Sequence, residues 1–207
     1  MFHVKQKGGP MQTFKLKLTL TEPMLGTVPK DKEVYKTYIA TKKKEIEGVE
    51  LTQEELKDEV ESIDEVEQKG WTGFHSDENG LYIYDYMVRG FLKNAGNILK
   101  NDVGVKNLSS KISQFVFVGP RKIYLGKKEP DGVLERPLRA QTAQGPRVTL
   151  ARSDIVNAGT ELNCELVIVG GKEVTEELLL KLLDYGKFQG LGQFRSGSYG
   201  RFTYVVE

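Results

Sequence analysis

The amino-acid sequence predicts an α+β fold of the ferredoxin-like (RRM-like) kind, a βαββαβ core with an antiparallel sheet. Four segments read as strands, Thr13–Leu20, Gln114–Val118, Thr160–Val169 and Arg201–Val206, and three of them alternate apolar with polar residues at the period of a half-buried strand. Two more, Tyr86–Lys100 and Thr175–Tyr185, carry apolar residues at helical spacing. Their order along the chain is strand, helix, strand, strand, helix, strand, which is the ferredoxin-like pattern. The 207 residues, 39% of them apolar, suffice for one domain with insertions at about 30–80 and about 126–158.

In TFKLKLTL (Thr13–Leu20), Phe14, Leu16, Leu18 and Leu20 face one way. Pro23, Gly26 and Pro29 then make Thr21–Lys30 a loop. Thr52 and Glu55 have the spacing of a capping box, and Leu56, Val60 and Ile63 recur on one narrow face, so an acidic helix is expected in the first insertion. Gly70–Gly80 is turn-rich and holds the single tryptophan, Trp71, and His75, which reads as a polar loop residue. Leu81–Tyr84 fits a short strand. Asp85 is placed to cap the first core helix, with Met87, Phe91, Ala95 and Ile98 or Leu99 available for the core. Gly90 and Gly96 each weaken that helix by roughly 1 kcal/mol relative to alanine, so something is expected to pass close to it. Arg89 and Lys93, four apart, would share an exposed face.

After the Gln114–Val118 strand comes a short one at Lys122–Leu125, interrupted by Gly119-Pro120. Glu129–Arg152 carries Arg136, Arg139, Arg147 and Arg152 around a Gly145-Pro146 turn. It reads either as a hairpin that meets phosphates or as a solvated hairpin whose arginines pair with local acids. Cys164, on the inward side of Thr160–Val169, is a core residue, and as the single cysteine it excludes an internal disulfide. Glu176 and Glu177 suit the first turn of the last helix, and Gly186 is its expected stop.

The stretch GKFQGLGQFRSGSYGR (Gly186–Arg201) interleaves glycines with Lys187, Arg195, Arg201 and the rings Phe188, Phe194 and Tyr199. Glycine amides can cradle an anion, arginines neutralise phosphates and aromatic rings stack on bases. The same composition also suits a flexible turn between helix and strand. It is not the GxGxxG dinucleotide fingerprint, which follows a strand and opens a helix, nor a P-loop, which needs GxxxxGK before Ser or Thr.

The formal net charge of +1 conceals a segregation. Glu45–Gln68 holds eleven acidic residues against Lys57 alone, a net of −10, so the remainder carries +11. A basic body suits a polyanion, although scattered, solvated charge is equally compatible with the count. Two histidines and one cysteine cannot form a zinc cluster, and no cofactor is expected. The chain has no apolar run of membrane-spanning length and no signal-peptide core at its N-terminus, so a cytoplasmic protein without a membrane partner is expected.

A ferredoxin-like core ending in helix, GLGQFRSGSYGRF and a final strand resembles the RAMP superfamily of CRISPR-associated proteins. The resemblance extends to YDYMVRGFLKNAGN, where Arg89, Gly90 and Lys93 match the segment by which backbone subunits hold a guide strand, and to the arginine hairpin, which sits where those subunits project a thumb. It implies a non-catalytic subunit that binds single-stranded RNA, or single-stranded DNA, and assembles with itself or related subunits along the strand. The implied contacts are Arg89, Lys93, Arg136, Arg139, Arg147, Lys187, Gly190, Gly192, Phe194, Arg195, Gly197, Tyr199 and Arg201. Two other readings are a metal-independent endoribonuclease with His75 as its base, and a self-assembling protein without a nucleic-acid ligand.

Overall fold

The computed structural model describes residues 11–30, 70–142, 145–170 and 172–206, with the backbone alone for 138–150. The acidic segment and its expected helix lie outside the described residues. The fold is α+β and ferredoxin-like. Its main sheet is built from β1 (Gln12–Leu20), β7 (Val116–Gly119), β11 (Glu161–Ile168) and β12 (Phe202–Val206), in the spatial order β12-β1-β11-β7 with every pairing antiparallel. In terms of the four core strands this is order 4-1-3-2, the arrangement a βαββαβ chain adopts when both crossovers run over one face. Helices α1 (Asp85–Leu99) and α3 (Glu176–Asp184) provide those crossovers.

Strand alternation determines which side is buried. Leu16, Leu18, Leu20, Leu162, Cys164, Leu166, Ile168 and Phe202 point into the core, where they meet Val88, Phe91, Leu92 and Ala95 of α1 and Leu178, Leu179, Leu182 and Leu183 of α3. Phe91 meets Phe202 edge-on at 5.0 Å between centroids. Burial pushes the Cys164 thiol up to about 12, with Glu165 adding to the effect, which makes it an inert packing group.

The opposite face of the sheet offers no stacking platform at its centre. Its central positions are Lys15, Lys17 and Thr19 on β1 and Glu161, Asn163, Glu165 and Val167 on β11, and Lys17 pairs with Glu161 at 2.8 Å. An exposed ring on this face is Phe117 at its β7 edge, opposite Val167, away from the centre of the sheet.

Several local expectations change. Tyr84, not Asp85, is the N-cap of α1, and Asp85 instead pairs with Arg121 at 2.9 Å. Ile98 is exposed, while Leu99 packs against the core. A further helix, α2 (Leu108–Phe115), takes the first two residues of the expected Gln114–Val118 strand. Its Ile112 and Leu108 side chains fill the space beside Gly96, where a Cβ would sit 2.6 Å from Ile112 Cδ1. Gly96 is thus explained by a neighbouring side chain, whereas a Cβ at Gly90 would meet nothing within 4 Å.

Two further sheets, of five and three strands, complete the fold. The arginine hairpin is β9 (Gly132–Thr142) with β10 (Gly145–Val156), so Gly145 and Pro146 are the first paired residues of a strand, where proline's missing N–H is tolerated. The base of β10 also pairs with β2 (Met24–Leu25) and, in parallel, with β4 (Trp71–Gly73), and β4 pairs with β3 (Val28–Pro29). The third sheet is β5 (His75–Asp77), β6 (Gly80–Tyr84) and β8 (Lys122–Tyr124). Among the described residues no helix is long and apolar enough to cross a membrane.

The contrast between the two glycines of α1 is testable by thermal unfolding. Gly90→Ala should stabilise by about 1 kcal/mol, or about 2–4 °C in a chain of this size, because helix propensity is gained in open space. Gly96→Ala should gain little or lose stability, because Ile112 must give way.

Candidate nucleic-acid interface

The glycine-rich stretch is folded down onto its own protein. Its two ends cross at Gly190 and Gly200, where a Cβ on Gly190 would lie 1.9 Å from the Gly200 carbonyl carbon and one on Gly200 1.9 Å from Leu191 O. Gly200 also has φ 71, a conformation that glycine alone adopts without strain. Backbone bonds from Leu191 N to Gly200 O (2.8 Å), Gly200 N to Pro23 O (2.8 Å) and Gln193 N to Leu25 O (3.4 Å) tie the loop to the segment leaving β1. Gly192 approaches Leu25 O, and Gly197 N donates to Phe194 O at 2.9 Å. Gly190 and Gly192 thus make room for backbone and Gly197 for the Phe194 ring, so the stretch is folded against its own chain. Gly186 has the same role. It leaves space for the Phe202 ring, which a Cβ would approach to 2.4 Å, and does not end α3 by a left-handed turn.

What the folded loop presents outward is a rim. Phe194 takes the left-handed φ of 53, unusual for a bulky residue, and the residue is 43% exposed. Tyr199 lies 5.8 Å from that ring at 29°, and the Arg136 guanidinium sits over it at 4.3 Å. The Gly197 backbone is so close that a Cβ there would be 2.4 Å from the ring. Arg195 is half-buried and makes no ion pair among the described residues.

The base of the hairpin is held against this loop. The Gln193 amide oxygen accepts from Thr72 Oγ1 at 3.1 Å and from Ser153 Oγ at 3.0 Å, which joins loop, β4 and β10. Hairpin and loop therefore meet through one polar latch and one cation–aromatic contact. Arg136 Nε is buried there with no hydrogen-bond partner among the described residues.

The other expected contacts disperse. Lys187 is paired with Asp184 at 2.9 Å, and Arg201 Nε donates to Phe188 O at 3.2 Å. Arg89 does not share the exposed face of Lys93. Its guanidinium donates to the Ser113 carbonyl of α2 and lies 5.4 Å from the Phe117 ring, because α2 packs where solvent was expected. Lys93 remains exposed. Arg139 and Arg147 lie in the hairpin, the first paired with Val148 and the second with Ala140.

No family model matches this chain, and no curated protein does. Among solved structures 116 chains match. One belongs to the cryo-EM structure of the Type III-B Cmr-beta bound to cognate target RNA, at 12% identity and a TM-score of 0.49 over 95% of this chain. The chain spans 60% of the length of that neighbour.

His75 is a strand residue, not a polar loop residue, and is only 5% exposed. It stacks on Tyr82 at 5.4 Å and meets Tyr84 edge-on at 4.6 Å. Desolvation, reinforced by the charges of Lys122 and Arg121, lowers its pKa to about 3, so the imidazole is neutral at physiological pH. Arg121 lies over Tyr84 and Lys122 over Tyr82, each at 4.7 Å, and Lys122 is paired with Asp77. The sequence signal for this cluster was the alternation of Tyr82, Tyr84 and Tyr86, and the pairing of β6 with β8 brings Arg121 and Lys122 to it. Among the described residues no three His, Cys, Asp or Glu side chains are grouped to hold a metal ion.

Two outcomes follow from this geometry. Gly200→Ala should destabilise by several kcal/mol in thermal unfolding, because backbone stands where the methyl would be and φ is positive. Below pH 6.5 the unfolded chain protonates His75 while the folded chain does not, so stability should fall from pH 6.5 toward about 3, by up to about 1.4 kcal/mol per pH unit. His75→Phe, which keeps an aromatic ring in the stack, should show a smaller loss of melting temperature between pH 7 and pH 5 than the wild type.

Proposed function

We propose that this chain is a non-catalytic subunit that holds a single strand of nucleic acid, RNA in preference to DNA, and assembles along it. The observation that carries this reading is the junction of hairpin and glycine loop, where Arg136 and Tyr199 flank the Phe194 ring and Arg195, which makes no ion pair among the described residues, follows it in the chain. Phe194 supplies a ring for a base, and Arg195 with Arg136 supplies charge for the phosphates on either side of it. Such contacts are indifferent to sequence, as a subunit repeated along a strand requires.

The resemblance of GLGQFRSGSYGRF to the RAMP superfamily supports the same reading and suggests a place in an RNA-guided, antiviral assembly. The non-catalytic part of the proposal is supported by His75, which is buried and a weak base, in a pocket of aromatic rings.

Titration of labelled single-stranded RNA and DNA at several salt concentrations, with sizing of the product, tests the proposal. RNA should bind with a strong salt dependence and form complexes that grow with strand length. Arg195→Ala should reduce the salt slope by about 0.7, the share of one phosphate contact. Phe194→Ala should weaken binding by about 5- to 100-fold through loss of stacking. Absence of binding at low salt overturns the reading, and RNA cleavage in chelator that His75→Ala abolishes would replace it with the endoribonuclease.

A further inference from the structure

The sheet at the hairpin base has two surfaces, and the glycine loop covers only one. Register places Ser153 opposite Thr72 and Arg136 opposite Ala151, and Thr72, Ser153 and Arg136 are the residues that meet the loop. The row between them has the opposite orientation, because successive strand residues alternate sides. That row is Trp71 on β4, Arg152 on β10 and Glu135 on β9, with Lys30 at its other end, where its N–H donates to Trp71 O at 2.9 Å.

The indole in this row is fixed in position. Trp71 Nε1 donates to Asp154 Oδ1 at 2.7 Å, and the same buried carboxylate pairs with Lys30 at 2.9 Å. Gly73 makes this possible, since a Cβ there would stand 2.6 Å from Asp154 Oδ2 and 2.7 Å from Lys30 Cε. The Lys30 ammonium lies 4.4 Å from the ring centroid and the Arg152 guanidinium 5.7 Å. Trp71 nevertheless keeps part of its surface exposed.

The two cations differ in availability. Lys30 is committed to a carboxylate whose side chain is only 4% exposed, and releasing it would leave that charge buried and unpaired. Arg152 is paired with Glu135 at 2.8 Å in an exposed contact, with side chains 45% and 52% accessible. A pair of that kind is held weakly, and a phosphate can take the guanidinium from it.

We propose that Trp71 and Arg152 form a second contact for the single strand, on the side of the hairpin sheet opposite the glycine loop. A base stacks on the indole and its phosphate takes Arg152 from Glu135. The inference rests on the strand-binding reading above and adds to it that the strand meets the protein on both surfaces of the sheet. Phe194 and Arg136 serve one segment and Trp71 and Arg152 another, with the hairpin between them.

Trp71 is the single tryptophan, so its emission reports this site alone. The experiment titrates end-labelled oligouridylate RNA into the full chain and follows label anisotropy and tryptophan emission in parallel. Emission should be quenched in step with the anisotropy. Trp71→Ala should weaken binding about 5- to 100-fold and Trp71→Phe much less, since a phenyl ring still stacks. Arg152→Ala, an exposed change that keeps the test usable if Trp71→Ala does not fold, should lower affinity and reduce the salt slope by about 0.7. Binding by anisotropy with unchanged emission, or with Arg152→Ala, and Trp71→Ala where it folds, indistinguishable from wild type, overturns this inference and leaves the glycine-loop reading standing. No anisotropy change at low salt overturns both.

Discussion

The crossing of Gly190 and Gly200 against the chain leaving β1 is the contact on which the placement of the loop and the hairpin base depends. Both backbones occupy space that any side chain would need, and the Gly200 amide is committed to Pro23 O. Because the crossing anchors the loop, Gln193 reaches Thr72 and Ser153, and the hairpin base is held at a set position relative to the main sheet. A pre-ordered loop also reduces the conformational entropy lost when a ligand binds. The loop therefore acts as a rigid joint between the helix-covered sheet and the hairpin.

The core was legible in the sequence because it obeys simple periods. Leu16, Leu18 and Leu20 at period two, and Leu178, Leu179, Leu182 and Leu183 at helical spacing, are buried as their pattern requires. Elements without such a signal were not legible. The strands β2 and β3 are two residues long, too short for any alternation. Helix α2 buries only Leu108 and Ile112, and its last residues run straight into Val116, so a β-like sequence conceals its end. Its presence alters α1 as well, since it occupies the space beside Gly96 and engages Arg89. The candidate site was legible as a composition of glycine, arginine and aromatic residues in one stretch, but composition does not distinguish a glycine that admits a ligand from one that admits the chain's own backbone.

Charge had to be read locally as well. A surplus of +11 outside the acidic segment suggests a broadly basic surface, yet many of these cations have acidic partners. Lys17, Arg121, Lys122, Lys127, Arg152 and Lys187 each pair with a carboxylate within 3 Å. Exposed pairs of this sort contribute little to stability, about 0–1 kcal/mol each, but they cancel the local field. The charge at any one point of the surface is therefore set by placement and not by the total, as at Arg136, whose guanidinium lies over the Phe194 ring.

The exposure of Phe194 shows how these constraints combine. A phenyl ring gains by burial, and a left-handed backbone costs a bulky residue roughly 1–2 kcal/mol, so neither term favours a phenylalanine 43% exposed at φ 53. The loop's other contacts must supply the balance. Gly197 contributes its amide to the Phe194 carbonyl and its bare Cα as the floor for the ring, while Arg136 covers part of it. Any larger residue at 197 would push the ring away from that floor, and loss of Arg136 would remove the guanidinium over it. The ring is thus held at the surface by Gly197 beneath it, Arg136 over it and Tyr199 beside it, and not by its own burial.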